Sequence, residues 1–219
     1  SKFTNISKLS GCIAFFINEK SEITHLKKYL SSLDHKNLNL LLKNKNKKKD
    51  LLSFDLNPNQ KIILIPVKKK QTSNETEKSG AKLTDFLIRE GAREIHIVSD
   101  TISLNLKTDA IYEFLHGMRL KSYSFDRYKS KKESNILKVN ITSSIKFNKK
   151  IYEKFKAIEL GVNYTKDLVS EPGNILHPDE YAKRLTQLKK IGLKVSVYNE
   201  KELKKMGCNA LVGVGQGSV

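Results

Sequence analysis

The sequence predicts an α/β protein: a mostly parallel sheet flanked by helices, then a long connecting helix, then the opening of an incomplete second α/β domain. Three observations predict it. Residues 11–18 (GCIAFFIN) form a continuous apolar run bounded by Gly11 and Asn18, the pattern of a strand covered on both faces. Beyond Lys68-Lys69-Lys70, stripes of helical period alternate with short strand-like runs, as successive units of a parallel sheet do. A helical pattern from 149 to 169 then breaks at Pro172-Gly173, after which the alternation restarts. These breaks divide the chain into an N-terminal domain over 1–145, a linker helix over 146–172 and the start of a second domain over 173–219.

Each element has its own reason. From 21 to about 42 the pattern is helical: Ile23, Leu26 and Leu30 share one face, and Leu38, Leu41 and Leu42 repeat the spacing. The lysine-rich run 43–49 reads as an exposed loop. Strands are expected over 51–56 and 62–67, joined by the turn chemistry of Asn57-Pro58-Asn59. Leu83, Phe86 and Leu87 form an i, i+3, i+4 stripe that stops at Gly91, a natural residue to follow a helix end. A strand over 93–99 follows. The next helix carries Ile111, Phe114, Leu115 and Met118, with Asp109 at its positive end, and 136–141 is another strand. In the linker helix, Ile151, Phe155, Ile158 and Val162 lie on one side. After it, Pro178 suits a first helical turn, Tyr181, Leu185 and Leu188 line one face, and Gly192 ends the helix. Residues 193–198 alternate as a strand, 201–206 form a short helix, and 211–214 read as a further strand. Strands without a complete sheet leave their edges open, so 172–219 is expected to be marginally ordered alone and to self-associate.

The chain is long enough for one large domain, or one domain with part of another. Cys12 and Cys208 are too few and too far apart for a disulfide framework or a metal knuckle. A reducing, cytoplasmic setting is therefore expected. The longest early apolar run falls far short of the ~20 residues that span a bilayer, and no signal-peptide cleavage pattern accompanies it, so no membrane association is expected. The formal net charge is +18, which attracts nucleic acid or an anionic surface. Composition argues otherwise. Of 41 basic residues 36 are Lys and 5 are Arg, the residue whose planar fork reads guanine and phosphate. Lys, Ile and Asn supply 72 of 219 residues, and all three have A- and T-rich codons. Most of the basicity therefore reads as compositional drift onto solvated faces.

Local motifs yield no active site. Gly213-Val214-Gly215-Gln216-Gly217 has the wrong spacing for a dinucleotide fingerprint and no following Lys for a phosphate loop, so a glycine-rich strand end or turn is expected. His25, His35, His96, His116 and His177 show no paired spacing that would hold a metal. Ser170-Glu171 and Asp126-Arg127 read as capping or ion-pair residues. The segment 123–132, with Tyr123, Phe125 and Tyr128 among bases, could stack single-stranded nucleic acid, but is read first as an edge with its apolar stems tucked inward.

Three segments together resemble the leucine aminopeptidase (cytosol aminopeptidase) family of dinuclear metallopeptidases. The first runs from Gly117-Met118 through Tyr123-Ser124-Phe125-Asp126-Arg127-Tyr128-Lys129. The second is Asn163 to Pro178, with Lys166-Asp167-Leu168, Pro172, Asn174 and Pro178 at the family's spacing. The third is Met206-Gly207 followed by Val214-Gly215-Gln216-Gly217-Ser218. The resemblance implies a macro-domain-like N-terminal domain, a linking helix and the first part of a catalytic domain. It further implies a full-length parent that is a cytoplasmic metallo-aminopeptidase, leucine preferred, holding two divalent ions (Mn or Zn) and assembling as a hexamer. In the family those ions are held within V-G-K-G-x-x-F-D-S-G-G and N-T-D-A-E-G-R-L passages, and neither occurs in these 219 residues. Gln216 stands where the metal-binding Lys of the first passage would be. Hence no catalytic, metal or substrate-binding residue is assigned to any position of this chain. The missing catalytic domain is expected to act on the peptide substrates, this chain alone to be inactive, and the start at Ser1 and the stop at Val219 to mark a cut piece.

Two other classes of function compete. A basic nucleic-acid-binding module is supported by the charge and by the resemblance, since some bacterial members of the family bind DNA. A macro-domain-like binder of ADP-ribose rests on fold analogy alone.

Overall fold

A computed structural model describes residues 9–43, 51–104, 106–130, 137–144 and 146–217. The expected Ile136, the basic residues Lys131 and Lys132 and most of the lysine run 43–49 lie outside them. Five strands form one sheet: β1 (Gly11–Asn18), β2 (Leu52–Asn57), β3 (Gln60–Val67), β4 (Glu94–Val98) and β5 (Lys138–Thr142). Their order is β2-β3-β1-β4-β5. β1 pairs in parallel with β3 and β4, and β4 with β5, while β2 is antiparallel to β3 across the Asn57–Asn59 turn. The mostly parallel α/β class is therefore correct for this region.

β1 shows why its run is apolar throughout. Cys12, Ala14 and Phe16 face one layer with α2 (Ser73–Arg89) and α3 (Ala110–Lys121), through Leu83, Leu87, Phe114 and Met118. Ile13, Phe15 and Ile17 face the other layer, with Leu26 and with Leu38 and Leu42 of α1 (Ser32–Lys43). Each such isoleucine, leucine or phenylalanine side chain gains ~1.5–3 kcal/mol from burial. The rings of Phe16 and Phe114 meet edge-on with centroids 4.9 Å apart.

The helices start and stop for chemical reasons. Thr72 and Glu75 form a reciprocal capping box at the head of α2, and Gly91, at φ +65°, lets the chain leave after its C-cap Glu90. The single helix expected from 21 to 42 is instead a 3₁₀ turn at Thr24–Lys28 followed by α1. Ser31 divides them: its hydroxyl accepts from Asp34 N–H at 3.1 Å and donates to the Asp34 carboxylate at 2.6 Å, a local start signal that outweighs continuous periodicity.

α4 (Lys149–Ser170) is the long helix the sequence predicts. By packing, the chain divides into two units between Tyr164 and Thr165, inside this helix. The second unit holds α5 (Pro178–Thr186), a 3₁₀ turn at Gln187–Ile191, α6 (Glu200–Lys205) and α7 (Asn209–Gln216). Pro178 sits in the first turn of α5, and Gly192, at φ +92°, ends the following turn.

Two strand expectations fail here. Residues 193–198 have no regular structure and 211–214 lie within α7. A strand needs a neighbour for its ladder, and no strand occurs among the described residues of 165–217. A helix closes its bonds within itself, so Leu211 and Val212 adopt one even with Gly213 and Gly215 beside them. The glycine motif is consequently a helix rather than a strand end, and the self-association expected from open strand edges loses its basis. No helix of the described residues is long and apolar enough to cross a membrane.

Candidate functional site

The strand order reverses at β1, so the carboxyl ends of β1 and β4 form the crevice where open α/β sheets usually bind ligands. Here a side chain fills it. Thr101 Oγ1 accepts from Phe16 N–H at 2.9 Å and donates to the Val98 carbonyl at 2.6 Å. The opening is displaced one strand outward, to the carboxyl ends of β4 and β5.

There a cavity of about 440 Å³ lies between Ser99 and Ile102 after β4, Ile141 and Ser143 at the end of β5, the first turns of α3 and residues 146–148. Its apolar lining consists of Ile102, Ile111, Leu115 and Ile141, with Tyr112 and Phe147. Part of its polar lining is already bonded within the protein. Ser99 Oγ donates to the Thr142 carbonyl at 3.1 Å. The buried Asp100 carboxylate accepts Ser144 N–H at 2.9 Å and the Ser143 hydroxyl at 3.2 Å, pinning the turn that follows β5. Tyr112 Oη accepts Asn148 N–H at 2.6 Å, and the Tyr112 and Phe147 rings lie 5.9 Å apart. Such a cavity can bind, and neither histidine nor cysteine is among its described lining residues.

A second cluster is internal. Glu159 of α4, 5% exposed, accepts His116 Nδ1–H and Arg119 Nη1–H, each at 3.0 Å. Arg119 also donates to Tyr152 Oη at 2.8 Å and lies over that ring, while the His116 ring packs on Phe155. Both ligating residues come from α3, so the network fastens the first part of α4 to the N-terminal unit. Its buried carboxylate is engaged by two protein donors, which makes it a structural tie between α3 and α4.

The remaining histidines are dispersed. His25 Nε2 donates to the Phe16 carbonyl at 3.1 Å, and burial holds its pKa below the ordinary histidine value. His35 Nε2 donates to the Ile23 carbonyl at 3.0 Å. His96 faces Glu94 at 3.8 Å, and His177 is the N-cap of α5 without a side-chain cap bond. Burial raises the Cys12 thiol, with the nearby Lys61 partly offsetting it, so Cys12 is an inert core residue. No group of three His, Cys, Asp or Glu side chains that could hold a metal ion occurs among the described residues.

Glu171 is an ion-pair residue. Its buried carboxylate accepts Arg184 Nη1–H at 2.9 Å, while Glu180 accepts Arg184 Nε–H at 2.9 Å. The two carboxylates, Glu171 foremost, raise the pKa of the Arg184 guanidinium, and this brace joins the end of α4 to α5. In the 123–130 segment, Phe125 meets Tyr128 at 5.8 Å and Arg127 lies over the Phe125 ring at 5.7 Å, with Tyr128 exposed. The α3–α4 network and the Asp100 clasp escaped the sequence reading because their partners are 33 or more residues apart.

Comparison with known proteins places these features in context. Residues 163–219 match the model of the cytosol aminopeptidase family, catalytic domain. A probable cytosol aminopeptidase of Rhizobium etli is 33% identical over 179 residues, covering 78% of this chain and 36% of that protein. One from Phytoplasma australiense is 40% identical over 130 residues, covering 58% of this chain and 26% of its own length. The chain thus spans about a quarter to a third of the length of the curated relatives it matches. Among solved structures, a mutant of tomato leucine aminopeptidase aligns over 94% of this chain and 45% of its own, with a TM-score of 0.71 at 17% identity. The bottromycin maturation enzyme BotP aligns over 91% of this chain and 41% of its own, with a TM-score of 0.64 at 14% identity. A further structure of BotP is in complex with Mn. These likenesses are of fold.

Proposed function

We propose, for a chain that belongs to the cytosol aminopeptidase family, that it is the non-catalytic N-terminal portion of a leucyl aminopeptidase, with the domain over 1–145, the linker over 146–172 and the start of the catalytic domain over 173–219. The observation that supports this most is the order of its parts: an α/β sheet domain, a long helix, and then the segment from 163 that matches the catalytic-domain model. The full-length parent is a cytoplasmic hexamer that removes N-terminal residues from peptides, leucine preferred, with two divalent ions, manganese or zinc.

The residues present do not fit a dinuclear metal centre. The described carboxylates, histidines and cysteines form no cluster of three, and the family's metal-holding passages are not in the sequence. No step of peptide hydrolysis is therefore assigned to this chain. Its contribution is architectural: a rigid sheet domain, a helix tied to it through Glu159, and the Glu171–Arg184 brace beyond.

The expected result is that the 219-residue chain does not hydrolyse leucine-derived chromogenic substrates with Mn²⁺, Zn²⁺ or Mg²⁺ added, and retains no stoichiometric metal after gel filtration. Turnover that survives repurification and disappears with a chelator would contradict the proposal.

A second reading, a basic nucleic-acid-binding module, is favoured by the exposed Tyr128 beside Phe125 and Arg127. If the charge is mostly diffuse lysine, DNA binding is weak, indifferent to sequence and lost between roughly 50 and 200 mM salt, as counterion release requires. A filter-binding salt series checks this. Sub-micromolar affinity for one sequence at about 150 mM salt, well beyond ordinary non-specific binding, would promote the second reading over the first.

A further inference from the structure

The cavity beside β5 belongs to no step described above, and its chemistry selects a ligand. Its apolar lining lies beside the hydroxyls of Ser99 and Ser143, which are committed to protein acceptors. Other polar lining groups are uncommitted. Asp109 and Lys146 line the cavity, both are exposed, and neither side chain has a hydrogen-bond or ion-pair partner among the described residues. Asp109 is the N-cap of α3, yet its carboxylate makes no cap bond. The hydroxyl of Tyr112, a buried lining residue, spends its oxygen on Asn148 N–H and keeps its proton to donate.

We infer that this cavity binds a small zwitterion with an apolar body: a free α-amino acid with a large hydrophobic side chain. The ammonium pairs with Asp109, the carboxylate with Lys146 and the Tyr112 hydroxyl, and the side chain enters between Ile111, Leu115 and Ile141. The size falls within the range of small-molecule sites. The Asp100 clasp and the Ser99 bond hold the walls in place before any ligand arrives, which lowers the ordering cost of binding. The free Asp109 carboxylate leaves Lys146 as the one uncompensated cation among the described lining residues, too little for a phosphorylated ligand such as ADP-ribose, and no arginine is among them.

The chain has no tryptophan, so Phe147→Trp places a single fluorophore in the cavity lining. Titration with L-phenylalanine is expected to give a saturable change with Kd of about 0.1–1 mM, a modest affinity suited to so few ligand atoms. L-phenylalaninamide and N-acetyl-L-phenylalanine should each bind about tenfold more weakly, since each lacks one charge. Asp109→Asn should weaken phenylalanine but leave the N-acetyl compound unchanged, and Lys146→Gln should weaken phenylalanine but leave the amide unchanged. Calorimetry on the unsubstituted chain repeats the titration should the tryptophan variant fail to fold. No saturable binding by either method up to about 20 mM, well beyond the Kd expected for so small a ligand, equal binding of all three compounds, or preferential binding of ADP-ribose would each overturn the inference.

Discussion

Gly117→Ala is expected to unfasten the tightest helix contact in the N-terminal unit and to lower its melting midpoint by about 10 °C, for a loss of about 3 kcal/mol or more. A Cβ on Gly117 would lie 1.9 Å from the Glu77 carbonyl oxygen, and one on Gly80 would lie 1.9 Å from the Phe114 carbonyl oxygen. Both obstacles are helix backbone, so no side chain can turn aside. α2 and α3 would have to separate, carrying Leu83, Leu87, Phe114 and Met118 away from β1. Gly80→Ala should do the same for the same reason. Gly161→Ala is the internal control, because its Cβ meets nothing within 4 Å and its helical position favours alanine by roughly 0.5–1 kcal/mol. Thermal melts of the three variants, followed by circular dichroism, check the contrast. Equal midpoints for Gly117→Ala and Gly161→Ala would show that α2 and α3 do not cross where the structure has them.

The second large effect is expected at Glu159. Removing its carboxylate with Glu159→Ala leaves His116 and Arg119 without their acceptor, and breaking a buried pair in this way costs about 3–5 kcal/mol. Arg119 is over one-third exposed and can turn to water, which puts the loss at the lower end, about 3 kcal/mol. Glu159→Gln keeps an acceptor oxygen and should lose about 1–2 kcal/mol. The loss should be local. Protease should cut within 149–164 of the Glu159→Ala chain well before it cuts β1 or β3, and the order of cleavage is read by mass spectrometry. An unchanged cleavage pattern would mean that Ile151, Tyr152 and Phe155 hold α4 by apolar contact alone.

The sheet domain is legible in the sequence because its elements announce themselves locally. The run 12–17 is buried on both faces and reads so; Gly91 and Gly192 sit where left-handed backbone is required; Pro172 follows the end of α4 by two residues. What fails, fails for want of a partner. Leu193, Val195 and Val197 alternate as a strand would, yet pairing depends on a neighbour that the described residues do not supply. The glycines of 213–217 suggest a turn only if their φ angles are positive, and those of α7 are not. The split at Ser31 turns on a short-range hydroxyl–carboxylate pair that apolar periodicity does not register. The candidate cavity was hidden more completely. Asp109 is visible as a helix-start residue, but Lys146 follows in sequence only after a further strand, and nothing local indicates that the two line one cavity.

Family membership was legible for a different reason: motifs around 117–129, 163–178 and 206–218 keep their order and spacing even where local chemistry is silent. Gly117 shows what one of those positions does physically, since it permits the α2–α3 approach. Glu171, in the second segment, is likewise explained by its bond to Arg184.

If this chain is the non-catalytic N-terminal portion proposed above, the family's two metal-holding passages are encoded downstream of it. Reading the coding sequence past the codon for Val219 tests this. The expected result is an open frame that continues into passages of the V-G-K-G-x-x-F-D-S-G-G and N-T-D-A-E-G-R-L type, in that order. A stop codon at once after Val219, or an open frame lacking both passages, would contradict it.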